Sequence, residues 1–158
     1  VFWRTLAVGR LRGLGLLSEM ERIELRPIGV VEREDRDPAP AGELASRPAR
    51  IRVRPEFREG LKGLEPGGRI LVLFWLHRAD RGRLLVHPRG DPSRPLRGVF
   101  VTRSPHRPNP IGATVVEVLE VNCEDGTLVV EGLDALDGTP VLDIKAASPR
   151  FDEGHPND

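Results

Sequence analysis

Tyrosine is missing from the 158 residues, lysine occurs only at positions 62 and 145, and cysteine and methionine occur once each. The single Cys123 excludes an intramolecular disulfide and a zinc site built on several thiolates, so no metal is expected. It also fits a reducing, cytoplasmic setting. No apolar run approaches the roughly 20 residues of a membrane-spanning helix. Arg4, Arg10 and Arg12 interrupt the apolar beginning, which therefore does not read as a signal-peptide core. Aromatic residues are few, two Trp and five Phe, so any stacking platform draws on a short roster or on arginine planes. Glycine and proline, by contrast, are plentiful at 17 and 15. Both disfavour helix interiors, which argues against a helical bundle.

With 39% hydrophobic and 30% charged residues the composition is that of a soluble globular domain, long enough for one core. The formal net charge of zero hides an uneven distribution. Residues 77–107 hold eight arginines against Asp80 and Asp91, a net of +6, whereas residues 108–158 hold Lys145 and Arg150 against eleven carboxylates, a net of −9. The basic segment is a candidate phosphate-facing surface. Arginine supplies 22 of the 24 cations. Codon bias in a GC-rich genome is sufficient to account for that ratio; the functional alternative is guanidinium forks suited to phosphate and carboxylate.

The chain changes character at Met20. Residues 1–19 read as an extension outside the core, 20–149 as one domain and 150–158 as a tail. From residue 21 the pattern is that of short strands. Ile23–Val31 is β-rich, with Pro27 and Gly29 pointing to an edge or a bulge. Residues 32–48, rich in charge and proline, read as a long loop. Ile51 and Val53 alternate with arginines as in a strand with one wet face, and Glu56–Leu64 reads as a short helix. Ile70–Leu76 reads as a strand buried on both faces. Leu84–His87, Gly98–Thr102, Ile111–Val121, Thr127–Leu133 and Val141–Ile144 complete the set. The expected fold is all-β: a small antiparallel β-barrel with one short helix.

Two stretches stand out. Residues 98–112 read GVFVTRSPHRPNPIG, where Pro105, Pro108 and Pro110 fix their own φ angles and push the residues before them towards extended backbone. The loop is therefore stiff and displays Arg103, Ser104, His106, Arg107 and Asn109. An ordinary proline-rich crossover has the same composition. Residues 132–145 read GLDALDGTPVLDIK, with a strong turn signal at Asp137-Gly138 followed by Thr139-Pro140.

Together these stretches closely resemble the TsaA-like, or TrmO, family of β-barrel tRNA methyltransferases, supported by Ile28-Gly29-Val30, by the segment Gly60–Leu64 and by the strand Ile70–His77. The resemblance covers about residues 23–149. It implies a homodimeric barrel that binds S-adenosylmethionine and methylates the exocyclic nitrogen of threonylcarbamoyl-adenosine beside the anticodon of tRNA. By the same resemblance, Arg103 is the guanidinium for the donor's carboxylate. Leu133, Asp134, Ala135 and Leu136 would hold its adenine, and Ala113, His77 and Arg78 would complete the pocket. Asn109 and Asp137 are alternative candidates to orient the acceptor nitrogen or take its proton. Arg81, Arg89, His106 and Arg107 are candidate RNA contacts, and Phe100 is expected in the core. The chain departs from the family after Lys145, where Ala146 and Ala147 replace the common Pro-Tyr. A noncatalytic RNA- or ligand-binding barrel and a small-molecule methyltransferase are the alternative functions.

Overall fold

The alternation at Arg50–Val53 has its structural counterpart in β2 (Ala49–Val53), where alanine, isoleucine and valine are buried and both arginines are exposed. The computed structural model describes residues 23–34 and 43–148, so the readings of 1–19 as an extension and of 150–158 as a tail lie outside the described residues. Five further strands share the barrel: β1 (Gly29–Glu32), β3 (Arg69–Trp75), β6 (Ile111–Asn122), β7 (Thr127–Glu131) and β8 (Pro140–Ala146). A separate two-stranded sheet is formed by β4 (Leu85–Val86) and β5 (Arg97–Gly98).

The barrel is closed in the order β1-β2-β7-β6-β3-β8, with β8 returning to β1 and every pairing antiparallel. Closure gives every strand a neighbour on both sides. The all-β barrel expected from the strand pattern is therefore the observed fold. Its interior is filled from all six strands by side chains such as Val31, Ile51, Val72, Val116, Leu128 and Val141. Leu61 joins this core from one end, and Leu133 and Ala135 join it from the connection between β7 and β8.

Several strand expectations need correction. Ile23–Ile28 is not strand, and Ile23 and Leu25 are exposed. Gly29 marks neither an edge nor a bulge, because β1 is paired on both sides; a β-carbon there would overlap the Arg52 carbonyl, so the glycine permits close backbone approach. The apolar run of β3 is not buried on both faces. Ile70, Val72 and Phe74 enter the core, while Leu71, Leu73 and Trp75 lie half-buried on the outer face. The expected strand Gly98–Thr102 is only the two residues of β5 followed by a 3-10 turn, Val99–Val101. Phe100 is not core: it is 81% exposed. The short helix is a 3-10 helix over Pro55–Leu61, with proline at its first position.

Candidate functional site

Strict antiparallel order decides which loops can meet. Connections leave the barrel alternately from its two ends, so 33–48, 76–110 and 132–139 emerge at the same end. The two stretches singled out in the sequence therefore share one rim. So does the connection from β1 to β2, of which residues 35–42 lie outside the described part.

The 132–139 connection is a strap fixed by alternation and by one arginine. Gly132, at φ 99°, turns the chain out of β7, and its N–H donates to the Ala45 carbonyl at 3.1 Å. Leu133 and Ala135 then point into the core, while Asp134 is exposed and Leu136 half-buried. The Arg33 guanidinium donates to the Ala135 carbonyl at 2.7 Å and also to that of Leu133. Its backbone N–H donates to the Asp137 carboxylate at 2.8 Å. Asp137 is thus tied to the end of β1. Sequence reasoning missed Arg33, and no local signal could have found it, because its partners lie about a hundred residues away.

The 76–110 connection begins with a turn in which the Ala79 N–H donates to the Leu76 carbonyl. His77 and Arg78 sit exposed on this turn, and the Leu76 N–H reaches the Pro110 carbonyl at 2.8 Å, so both ends of the excursion are joined. Asp80 organises the next residues. Its carboxylate accepts from the Gly82 N–H and from Arg83, both at 2.9 Å, and its own N–H donates to His106 Nδ1 at 3.0 Å. The Gly82 amide foremost, with Arg83, holds the Asp80 carboxyl below its ordinary range.

Two arginines expected to face RNA are engaged within this loop. Arg107 is half-buried and donates to the carbonyls of Ser104 at 2.8 Å, Val99 at 3.0 Å and Thr102 at 2.6 Å. Arg81 donates to the Pro108 carbonyl at 2.8 Å and approaches Asn109 Oδ1 at 3.5 Å. Arg89 is exposed in the left-handed region at φ 59°, on a turn of the β4–β5 excursion.

Arg103 and Ala113 are brought together: the guanidinium is exposed and reaches the Ala113 carbonyl at 3.3 Å. That single long bond leaves most of its donors available to a carboxylate or phosphate. The structure does not place Asp137 and Asn109 in one hydrogen-bonded group: the first is bound to β1 and the second to Arg81. Among the described residues no three His, Cys, Asp or Glu side chains are grouped to hold a metal ion, and no helix is long and apolar enough to cross a membrane.

This arrangement has relatives. Residues 31–153 match the tRNA-methyltransferase O N-terminal domain. A probable S-adenosyl-L-methionine-binding protein of Methanothermobacter thermautotrophicus is 50% identical over 82% of this chain and 92% of its own length. An S-adenosyl-L-methionine-binding protein of Archaeoglobus fulgidus is 46% identical over 81% of this chain and 91% of its own. A second Archaeoglobus fulgidus protein, 47% identical over 84% of this chain, is much longer, and the match covers 36% of it. A crystal structure of TrmO from Pseudomonas aeruginosa superposes with a TM-score of 0.67 at 30% identity, covering 88% of this chain. The chain spans only 62% of that structure's length. With the family domain matched from β1 to beyond β8, the chain belongs to the tRNA-methyltransferase O family.

Proposed function

We propose that the protein is a cytoplasmic S-adenosylmethionine-dependent tRNA methyltransferase, working as a homodimer on the exocyclic nitrogen of threonylcarbamoyl-adenosine at position 37, beside the anticodon. The observation that carries this reading is the exposed Arg103 guanidinium held over the start of β6, on the rim shared by the stiff proline loop and the 133–137 strap. Relatives named as S-adenosyl-L-methionine-binding proteins support the donor, and the family match supports the RNA substrate.

The residues present fit such a donor. Arg103 offers a charge-assisted fork for its carboxylate. The Leu133–Leu136 strap, with two side chains anchored in the core, offers a fixed backbone edge for its adenine. His77, Arg78 and Ala113 complete the pocket from the ends of β3 and β6. When bound, the donor supplies an electrophilic methyl. The protein's part is alignment, because in-line displacement depends chiefly on holding the reacting atoms in line. Asn109, held by Arg81, is suited to orient the acceptor nitrogen. Asp137 would serve the adjoining strap.

The test is methyl incorporation into tRNA followed by mass spectrometry of anticodon-loop fragments, with calorimetry of the donor beside it. Wild type adds one methyl to the modified adenosine. Arg103→Ala weakens donor binding by about 1.5–3 kcal/mol, the size of a hydrogen bond to a charged group. Donor binding without methyl in any RNA would leave a binding module instead, and unchanged donor affinity in Arg103→Ala would remove that residue from its role.

A further inference from the structure

On the outer face of the barrel lies a groove of about 390 Å³ lined by Trp75, Arg81, Asn109, Ile111, Pro140 and Leu142, together with the segment before β1 at Ile23, Leu25 and Pro27. Its floor arises from register. Trp75 stands opposite Ile111 across β3 and β6. The β3–β8 register shifts between Leu73, opposite Asp143, and Phe74, opposite Val141, so Leu142 is the extra residue of a bulge. Bulges re-aim side chains, and this one brings Leu142 to the groove. Arg81 covers the indole, with its guanidinium carbon 5.4 Å from the ring centroid of Trp75. Its donors to Pro108 and Asn109 fix the guanidinium in that place. Arg81 is nonetheless an exposed residue.

We infer that Trp75 and Arg81 form a layered stacking platform for the acceptor purine, with the Asn109 amide reading the edge of that base; this rests on the methyltransferase reading above. Three observations favour a base over other occupants. An arginine plane backed by an aromatic ring is a surface on which RNA bases stack. The Asn109 amide presents a donor and an acceptor side by side, the pattern that pairs with the exocyclic nitrogen and N7 of adenine. Its Oδ1 has a second lone pair beyond the one facing Arg81. The position is also right for transfer. Ile111 lines the groove and the Ala113 carbonyl accepts from Arg103, two residues apart along one strand and about 7 Å from each other. A donor held at Arg103 and a base held at Arg81 would therefore be neighbours. A phosphate contact is the weaker use of Arg81, because its Nε–Nη2 edge is already engaged by Pro108 and Asn109.

The experiment compares two anticodon stem-loop RNAs on the full chain, one carrying threonylcarbamoyl-adenosine at the acceptor position and one abasic there. Wild type should prefer the first RNA by about tenfold, the order of one base stack. Arg81→Lys keeps the charge and loses the planar fork. It and Trp75→Leu should bring the preference close to one, with the salt dependence of binding and the affinity for S-adenosylmethionine unchanged. A preference that survives Arg81→Lys, or is absent from the wild type, overturns the platform. So does a shallower salt slope in Arg81→Ala, which would make Arg81 a phosphate contact. Failure of the methyltransferase reading looks different: the adenosine preference and its loss in the variants would persist while the wild type incorporates no methyl.

Discussion

Gly112, the last residue of the proline-rich motif, is required by a neighbour. It stands directly opposite Phe74 on β3, and a β-carbon at this position would overlap the Phe74 ring. Phe74 is 3% exposed and packed in the barrel core, so the ring has no free direction to retreat. Gly112→Ala should cost about 1–3 kcal/mol through overpacking, read as a lower denaturation midpoint at unchanged m-value. An unshifted midpoint would mean that the ring repacks freely. Asp80 makes a second test at this scale. Its carboxyl is held below the ordinary range, first by the Gly82 N–H and then by Arg83. A depressed carboxyl favours the folded turn above its unfolded value, and that contribution is lost as pH falls through the folded value. Order in the 80–83 turn should therefore hold at neutral pH and fade only in acid, below about pH 4. By NMR titration, Arg83→Gln should raise the Asp80 midpoint only in part, because the larger influence is the amide.

Among the elements, the 98–110 loop owes its shape to more than its prolines. Arg107 binds three carbonyls within eight residues of itself and closes the loop on the buried Val99. Arg107→Leu should speed hydrogen exchange of the amides from Val99 to His106 while barrel amides keep their protection; unchanged exchange would show the prolines suffice. Much of the fold was legible because barrel strands alternate. Ile51 and Val53 between arginines declared β2, and the apolar stretches at 111–121 and 127–133 declared β6 and β7 as strands. What escaped was set by partners distant in sequence. The half-buried outer face of Leu71, Leu73 and Trp75 looks in sequence like a strand buried twice, because apolar residues fill both positions of the period. Phe100 reads as core by its chemistry, yet the 3-10 turn that buries Val99 turns Phe100 outward. Arg103 was singled out through its motif, whereas Arg33 and the Trp75–Arg81 layer exist only once β1, β3 and the excursion are assembled.

Across the whole molecule, charge is sorted by topology. The +6 of residues 77–107 belongs to one excursion at one end of the barrel, and most of the −9 follows it in the sequence, in β6 to β8 and the residues after them. The eight arginines of the excursion are not equivalent. Arg83 and Arg94 are paired with Asp80 and Asp91. Arg81 and Arg107 are held by backbone carbonyls. Arg103 faces the Ala113 carbonyl. Arg78, Arg89 and Arg97 are exposed, and their guanidinium groups make no hydrogen bond or ion pair among the described residues. A guanidinium already bound gains little from phosphate, whereas a free one releases a counterion for each contact made. The salt dependence of tRNA binding should therefore separate these groups. Arg78→Ala, Arg89→Ala and Arg97→Ala should each lower the slope of log affinity against log salt by about 0.7–0.9, while Arg107→Ala leaves the slope in place. If none of the three free arginines changes the slope while the barrel stays folded, tRNA docks elsewhere and the charge asymmetry serves another end.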